Sequence, residues 1–460
     1  MTMPYPAGLP VLLDRTTVEL GDVLLGGSPL RVMRLSPAGR HAYDQLRAGG
    51  PASSATRRLA RRLTDAGLAH PAPAPVAEFD VTVVVPARDH AAALDRCLSA
   101  IGNRHPVVVV DDASLDADAV AKVAAEHGAR LIRRDTCGGP AAARNTALGL
   151  VDTEYVAFLD SDCVAPRDWM TFLGGHFNDP LVAAVAPRVV PHDTDTPARR
   201  YAVAASALDL GEDPARVVPL GKVSYVPTAA LVVRRDAVKS LRFNEDLRYG
   251  EDVDLIWRLH AAGHRVRYDP AVQVRHDEPA TWPGVLARRF RYGTSAAPLA
   301  RSHPRSTAPL VVSAAPAALV AGLAARQPLV AAVGAVLTWR ASHRAVARAQ
   351  PAQLSPVRLG ARAVAGTALG TGRYLSQIAP PLALAGLAHR RTRLTVASLV
   401  LAPAIERWVR RRPPIDLPRF LAAALADDLA YGAGVWAGAI RHRTAAPLRP
   451  ILRTKERPDA

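Results

Sequence analysis

Residues 79–114 read FDVTVVVPARDHAAALDRCLSAIGNRHPVVVVDDAS. Residues 81–85 and 107–110 are unbroken runs of mostly β-branched residues, the pattern of strands buried on both faces. Between them, residues 91–101 place Leu94, Leu98 and Ile101 at helical spacing. Strand, helix and strand in this order predict a parallel α/β sheet. The alternation continues through a helix at 119–127, a strand at 130–133, a Gly-led helix at 141–150 and a strand at 155–159. Acids stand where strands end, at Asp111-Asp112 and at Asp160-Ser161-Asp162. Ligands of open α/β sheets bind beyond the carboxyl ends of the strands, so these acids mark a site.

Outward from this core the composition changes twice. Residues 1–70 predict a small helical or winged-helix-like domain, with Leu59, Leu63 and Leu68 at helical spacing beside Arg57, Arg58, Arg61 and Arg62. A Pro-rich linker, 71–78, joins it to the α/β domain, 79–305. Residues 306–460 form a C-terminal Ala-rich helical region whose apolar runs are divided by arginines. Such runs suit short spanning or interfacial helices, with Arg340, Arg344, Arg348 and the arginines of 407–412 facing an anionic leaflet. Membrane association on the cytoplasmic side is the expectation.

The chain has 460 residues, 49% of them apolar, and a formal net charge of +17. Several cores are possible at this length, and the charge favours an anionic partner. Nucleic acid is not expected as that partner, because the basic residues surround apolar helices instead of alternating with stacking aromatics. Three cysteines without metal spacing fit a reducing compartment, and the start lacks the pattern of a signal peptide.

Two carboxylates one residue apart at a strand end, Asp160 and Asp162, can present hard oxygen ligands to Mg²⁺ or Mn²⁺ beside substrate phosphates. The acids of VVVVDDAS, 107–114, can accept hydrogen bonds from a uracil imide or ribose hydroxyls. In GGPAAARN, 138–145, the glycines allow close backbone approach, and Arg144 could reach a diphosphate or form a salt bridge. In GEDVDLIWRL, 250–259, Asp252 at a helix start suits a general base; Glu251 or Asp254 would orient a loop or an acceptor. Acids there also serve simply as helix caps.

VVVPARD (83–89), VDDAS (110–114), residues 139–145, LDSD (159–162) and GEDVDL (250–255) together resemble the family 2 glycosyltransferases in order and spacing. The resemblance implies a GT-A fold and inverting transfer from a nucleotide-activated sugar. It further implies that Pro86 and Ala87 line the nucleotide pocket, Asp112 holds the base, Arg144 approaches the nucleotide or diphosphate and Asp160 contacts ribose or phosphate. Asp162 would be the metal ligand, His276 of VRHDEP a second one, and Asp252 the catalytic base. Arg88-Asp89 departs from the family's usual Tyr-Asn, which alters the hydrogen bonding expected around the nucleotide. The family's Gln-x-x-Arg-Trp motif is absent; in its place stands ARRFRYGTSAAPL, 287–299, where Arg288, Arg289 and Arg291 could clamp phosphates or position an acceptor.

The layout as a whole, with LTDAGLAHP closing the N-terminal unit, is similar to the glycosyltransferases of mycofactocin systems. That resemblance implies a UDP-glucose donor and a β-linked oligosaccharide built on a peptide-derived redox cofactor. It also implies a peptide-binding role for residues 1–70. A polyprenyl phosphate or cell-envelope glycan is the alternative acceptor.

Overall fold

The computed structural model describes all residues except 1–2, 29, 51–52, 305, 350–354 and 454–460; the side chains of Arg348, Ala349 and Arg453 also lie outside the described residues. It divides into two compact units. The first comprises residues 1–193 and 206–278, the second residues 194–205 and 279–460. The division thus falls at 278/279, earlier in the chain than the 305/306 boundary expected from composition.

The first unit is organised by one mixed sheet. Its order runs Cys163–Val164, Arg265–His276, Val182–Pro191, Ala230–Arg234, Tyr155–Leu159, Val81–Ala87, Val107–Asp111 and Arg130–Arg133, and Ala215–Arg216 pairs off the path with Arg265–His276. Tyr155–Leu159, Val81–Ala87, Val107–Asp111 and Arg130–Arg133 are mutually parallel. Ala230–Arg234 runs antiparallel to Tyr155–Leu159, and Cys163–Val164 antiparallel to Arg265–His276. The valines of Val81–Ala87 are buried, and Val81, Val83 and Val85 share a core with Leu94, Leu98, Trp169 and Leu173. The parallel strands all end toward the same edge, which brings Ala87, Asp111 and Leu159 to one side.

Residues 1–70 belong to this same unit. They form a three-stranded antiparallel meander, Val18–Leu20, Val23–Gly26 and Arg31–Arg34, followed by helices Pro37–Gly49 and Ser54–Ala66. Ser53 caps the second helix through a reciprocal bond pattern with Thr56, and Gly67 ends it in the left-handed conformation. Val11–Leu13 pairs with Ala69–Pro71, closing a core around Tyr5, Leu24, Tyr43, Leu59 and Leu63. The Pro-rich segment is held down: Val76 N–H donates to Thr171 O at 3.0 Å.

Charged contacts fasten this module to the large sheet. Arg61 makes a buried fork to Asp179, at 2.7 and 2.8 Å, with its guanidinium over the Tyr5 ring. Arg265 grips Asp65 with two bonds of 2.9 Å, and buried Arg267 donates to Thr64 O at 3.3 Å. Removing one partner of a buried ion pair strands the other charge without water or counterion.

The second unit is helical, with Ala314–Ala324, Pro328–Ala349, Pro356–Gln377, Pro380–Ala388, Arg393–Arg411 and Leu417–Arg441 as its main elements. The small residues serve packing. A Cβ on Gly434 would meet Phe290 O at 2.0 Å, so the helices Trp282–Thr294 and Leu417–Arg441 cross closer than any side chain would allow. Among the described residues, no helix is long and apolar enough to cross a membrane, so the spanning helices expected in residues 306–460 are not found. The reason lies in the interruptions. Leu417–Arg441 buries Asp427 and Asp428, which bond to Tyr201 at 3.1 Å and to Ser376 at 2.6 Å, and Pro328–Ala349 breaks its apolar run at Arg340 and Arg344.

Arg61→Ala should lower unfolding free energy by about 3–5 kcal/mol, because Asp179 is left buried and unpaired. An Arg61→Met, Asp179→Leu double variant should recover most of that loss. Urea denaturation followed by circular dichroism measures both.

Candidate active site

Each carboxylate of interest sits where a strand or helix terminus aims it. Asp160 follows Tyr155–Leu159; its N–H donates to Ala229 O at 2.9 Å, and its carbonyl accepts from Cys163 N–H at 3.0 Å. The chain therefore turns tightly through Asp160-Ser161-Asp162. Asp162 O accepts from Asp277 N–H at 3.0 Å, and Cys163 pairs in register with His276. This brings His276 Nε2 to 3.4 Å from Asp162 Oδ2.

Burial pushes the Asp162 carboxyl above the usual carboxylate range; His276 opposes that shift and Asp160 adds to it. A bound cation would stabilise this charge. Two ligands at right angles on an ion with bonds of about 2.1 Å lie about 3 Å apart, so Asp162 and His276 fit a shared divalent ion. His276 is buried, and its Nδ1 has no hydrogen-bond partner among the described residues, the nearest carboxylate being Glu278 Oε1 at 3.6 Å. One further group of ligand atoms went unnoticed in the sequence: those of His192, Asp193 and Asp277 lie within 4.8 Å of one another. His192 N–H bonds to His276 O at 2.9 Å, so only sheet pairing, invisible in the linear chain, reveals this neighbour.

Arg144, in the helix Pro140–Leu148, is buried between the two acidic clusters. It donates to Asp160 Oδ1 at 2.7 Å and to Glu251 Oε1 at 2.9 Å, with its guanidinium 5.6 Å from the centre of the Phe243 ring. Burial works against its charge, and the two carboxylates outweigh burial. The structure thus commits Arg144 to a bridging pair of salt links, the second of the two roles its position allowed.

Asp112 is committed in a similar way. Its oxygens accept from Gly138 N–H at 3.0 Å and Gly139 N–H at 2.7 Å, with Arg134 Nε 2.9 Å away. It fastens the loop that opens the helix carrying Arg144. Pro86 and Ala87 end their strand beside it, where Ala87 O accepts from Asp112 N–H at 2.9 Å. The departure at Arg88-Asp89 has a local purpose: Asp89, at φ 58°, accepts from Leu115 N–H at 2.7 Å and donates its own N–H to Ser114 Oγ at 2.7 Å. Nothing in the pattern of the sequence singled out Asp89 for this.

Asp252 opens the helix Glu251–Ala261. Gly250 precedes it at φ 83°, a backbone that side chains rarely adopt, and this turn sets both acids at the helix start. Asp252 Oδ1 accepts from Val253 N–H at 2.7 Å, and the side chain keeps an accessible face. Burial, reinforced by Glu251, pushes its carboxyl up to about 7. A carboxyl tuned to that range can take a proton near neutral pH. Asp254 does something different. It bonds to Arg258 Nε at 2.7 Å, and that guanidinium in turn holds Leu241 O and Arg242 O.

The remaining two candidates belong to the second unit. Arg289 Nε lies 2.7 Å from Asp427, with the guanidinium over the Tyr431 ring at 5.2 Å, and Arg291 is exposed.

A sheet edge bearing acids, an aspartate and a histidine spaced to share a cation, and a separate tuned carboxylate are parts that suit a sugar transferase. Residues 82–242 match the family described as glycosyl transferase family 2. The chain belongs to that family and is a glycosyltransferase of the GT-A fold. It is 40% identical to the pre-mycofactocin glycosyltransferases of Mycobacterium tuberculosis strains CDC 1551 / Oshkosh and ATCC 25618 / H37Rv, over 98% of this chain and 99% of theirs. The succinoglycan biosynthesis protein ExoU of Rhizobium meliloti (strain 1021) is 29% identical over 42% of this chain and 60% of its own. A solved structure of mannosyltransferase PcManGT from Pyrobaculum calidifontis, in complex with GDP-Man and Mn²⁺, is similar with a TM-score of 0.41. It is 22% identical and covers 73% of this chain and 89% of its own.

The raised Asp252 carboxyl has a consequence for stability. It holds its proton more tightly when folded than the ordinary aspartate value of about 3.9 allows when unfolded, so the folded state loses stability as pH rises from about 4 to about 7. Asp252→Asn should therefore melt above the wild type at pH 8, and the difference should vanish below about pH 4. Differential scanning calorimetry across that range is the check.

Proposed function

We propose that this enzyme transfers glucose from UDP-glucose, with inversion, to a hydroxyl of a peptide-derived redox cofactor of the mycofactocin type, and extends it as a β-linked oligosaccharide. The observation that carries the acceptor assignment is the 40% identity to pre-mycofactocin glycosyltransferases along nearly the entire chain. Similarity confined to the catalytic domain would have pointed only to the donor chemistry.

In this reading Asp252 removes the proton of the acceptor hydroxyl as its oxygen bonds to the anomeric carbon and the bond to the leaving diphosphate breaks. Glu251 and Arg144 keep that base in place: the Arg144–Glu251 link fixes the first turn of the helix on which Asp252 stands. A divalent ion such as Mg²⁺ or Mn²⁺, held by Asp162 and His276, supplies neutralising charge for the diphosphate when bound. Asp160, tied to Arg144, remains close enough to the donor side of the cleft to accept from a ribose hydroxyl. Asp112 acts through the loop it fastens, by presenting the backbone of Gly138 and Gly139.

Purified enzyme supplied with UDP-[¹⁴C]glucose, Mn²⁺ and the deglycosylated cofactor should place label in the small soluble product. Label recovered only in lipid extracts would overturn the acceptor assignment. Asp252→Asn should lower turnover by about 10²-fold or more while UDP affinity stays within about twofold. In the wild type, kcat/KM should rise with pH and level off above about 7, as the base loses its proton. Asp162→Ala should remove the Mn²⁺-dependent part of UDP binding in calorimetry.

A further inference from the structure

The helical unit contains a cavity of about 750 Å³, lined by none of the residues assigned to the transfer reaction. Its volume falls in the range of small-molecule sites, roughly 300–1,000 Å³. Three elements of one unit build it: the helix Pro197–Ala205, the helix Trp282–Thr294, and the segment from Pro414 into the helix Leu417–Arg441. Trp282 and Leu286 form one wall, with the Trp282 ring braced by Tyr201 at 5.6 Å. Ile415 forms another, and its carbonyl is fixed by Trp408 Nε1 at 2.9 Å. The third wall is low, because beyond Arg419 the helix Leu417–Arg441 lines the cavity with alanines, at 422, 423 and 426. Any larger side chain at those positions would occupy the space.

The charges around the cavity do not cancel. Asp416 caps its helix by accepting from Arg419 N–H at 3.1 Å and pairs with the Arg419 guanidinium at 3.2 Å, so those two neutralise one another. Arg200 also lines the cavity, is half-buried, and has no acceptor among the described residues. A half-shielded guanidinium facing apolar walls is an incomplete ion pair, and a carboxylate or phosphate completes it through two parallel bonds.

We propose that this cavity binds an amphipathic small molecule, its apolar body against Trp282, Leu286 and Ile415 and a single anionic group on Arg200. The apolar walls alone would admit any greasy ligand. The uncompensated guanidinium selects an anionic one.

Titrating the full-length protein with 11-(dansylamino)undecanoate, followed by dansyl fluorescence, tests this directly. One saturable site of micromolar affinity is expected, with its uncharged methyl ester bound at least about tenfold more weakly. Arg200→Gln should weaken the acid about tenfold and leave the ester unchanged, which a merely structural role would not produce. Ala426→Phe, narrowing the cavity, should weaken both. Acid and ester binding equally well to the wild type, or acid binding unaffected by Arg200→Gln, would overturn the proposal. If Ala426→Phe shifts the thermal melt, the acid-against-ester comparison in Arg200→Gln decides alone.

Discussion

The buried guanidinium of Arg144 is the contact on which the catalytic half of this molecule depends. It lies between Asp160, at the end of a parallel strand, and Glu251, at the start of a helix 107 positions further along the chain from Arg144 itself. Three acids gathered in a shielded cleft would repel one another and resist ionisation. One delocalised cation with a rigid fork of donors offsets that repulsion and fixes the distance between the two clusters. The aromatic face of Phe243 beneath it completes the seat. The strand end at Asp160 and the helix start at Glu251 are thereby registered to each other by a single side chain.

The arrangement also separates charge tuning from ligand binding. Asp160 and Glu251 are bonded by Arg144, whereas Asp252, among the described residues, is bonded only to the N–H of the residue after it and carries the consequence of its neighbours' charge. The group left least satisfied is the one assigned the chemistry. A site that holds a carboxyl in so uncomfortable a state gives up folding free energy.

Much of this was legible in the sequence. The strands at 81–87, 107–111 and 155–159 announce themselves because both of their faces are buried, which leaves only apolar residues to choose from. Asp162 and Asp252 stood out as candidates from acidic motifs at strand and helix ends, and His276 from the family resemblance alone. Other features were hidden because they depend on partners far away in the chain. Arg144 and Asp112 pointed to a ligand in the sequence, and each is occupied by the protein's own groups. Arg289 offered a phosphate clamp, and Asp427 takes it. The apolar C-terminal runs suggested membrane spans, since a run of alanines does not disclose that Asp427 and Asp428 are buried within the helix that follows. In each case the composition named a chemical group but not its counterpart.

The ion pairs beneath the N-terminal module bear on how this chain can change over evolutionary time. Arg61 and Asp179 lie 118 positions apart, and Asp65 and Arg265 lie 200 apart, so each half of the interface is encoded in a different region of the gene. A recombination event that exchanged the first 70 residues for a foreign module would leave Asp179, Arg265 and Arg267 without their counterparts. Such a swap survives only if acids and bases on both sides are replaced together. The module and the transferase sheet are thus bound to a shared inheritance, and variation is freer at the rim of the meander than along its inner helix.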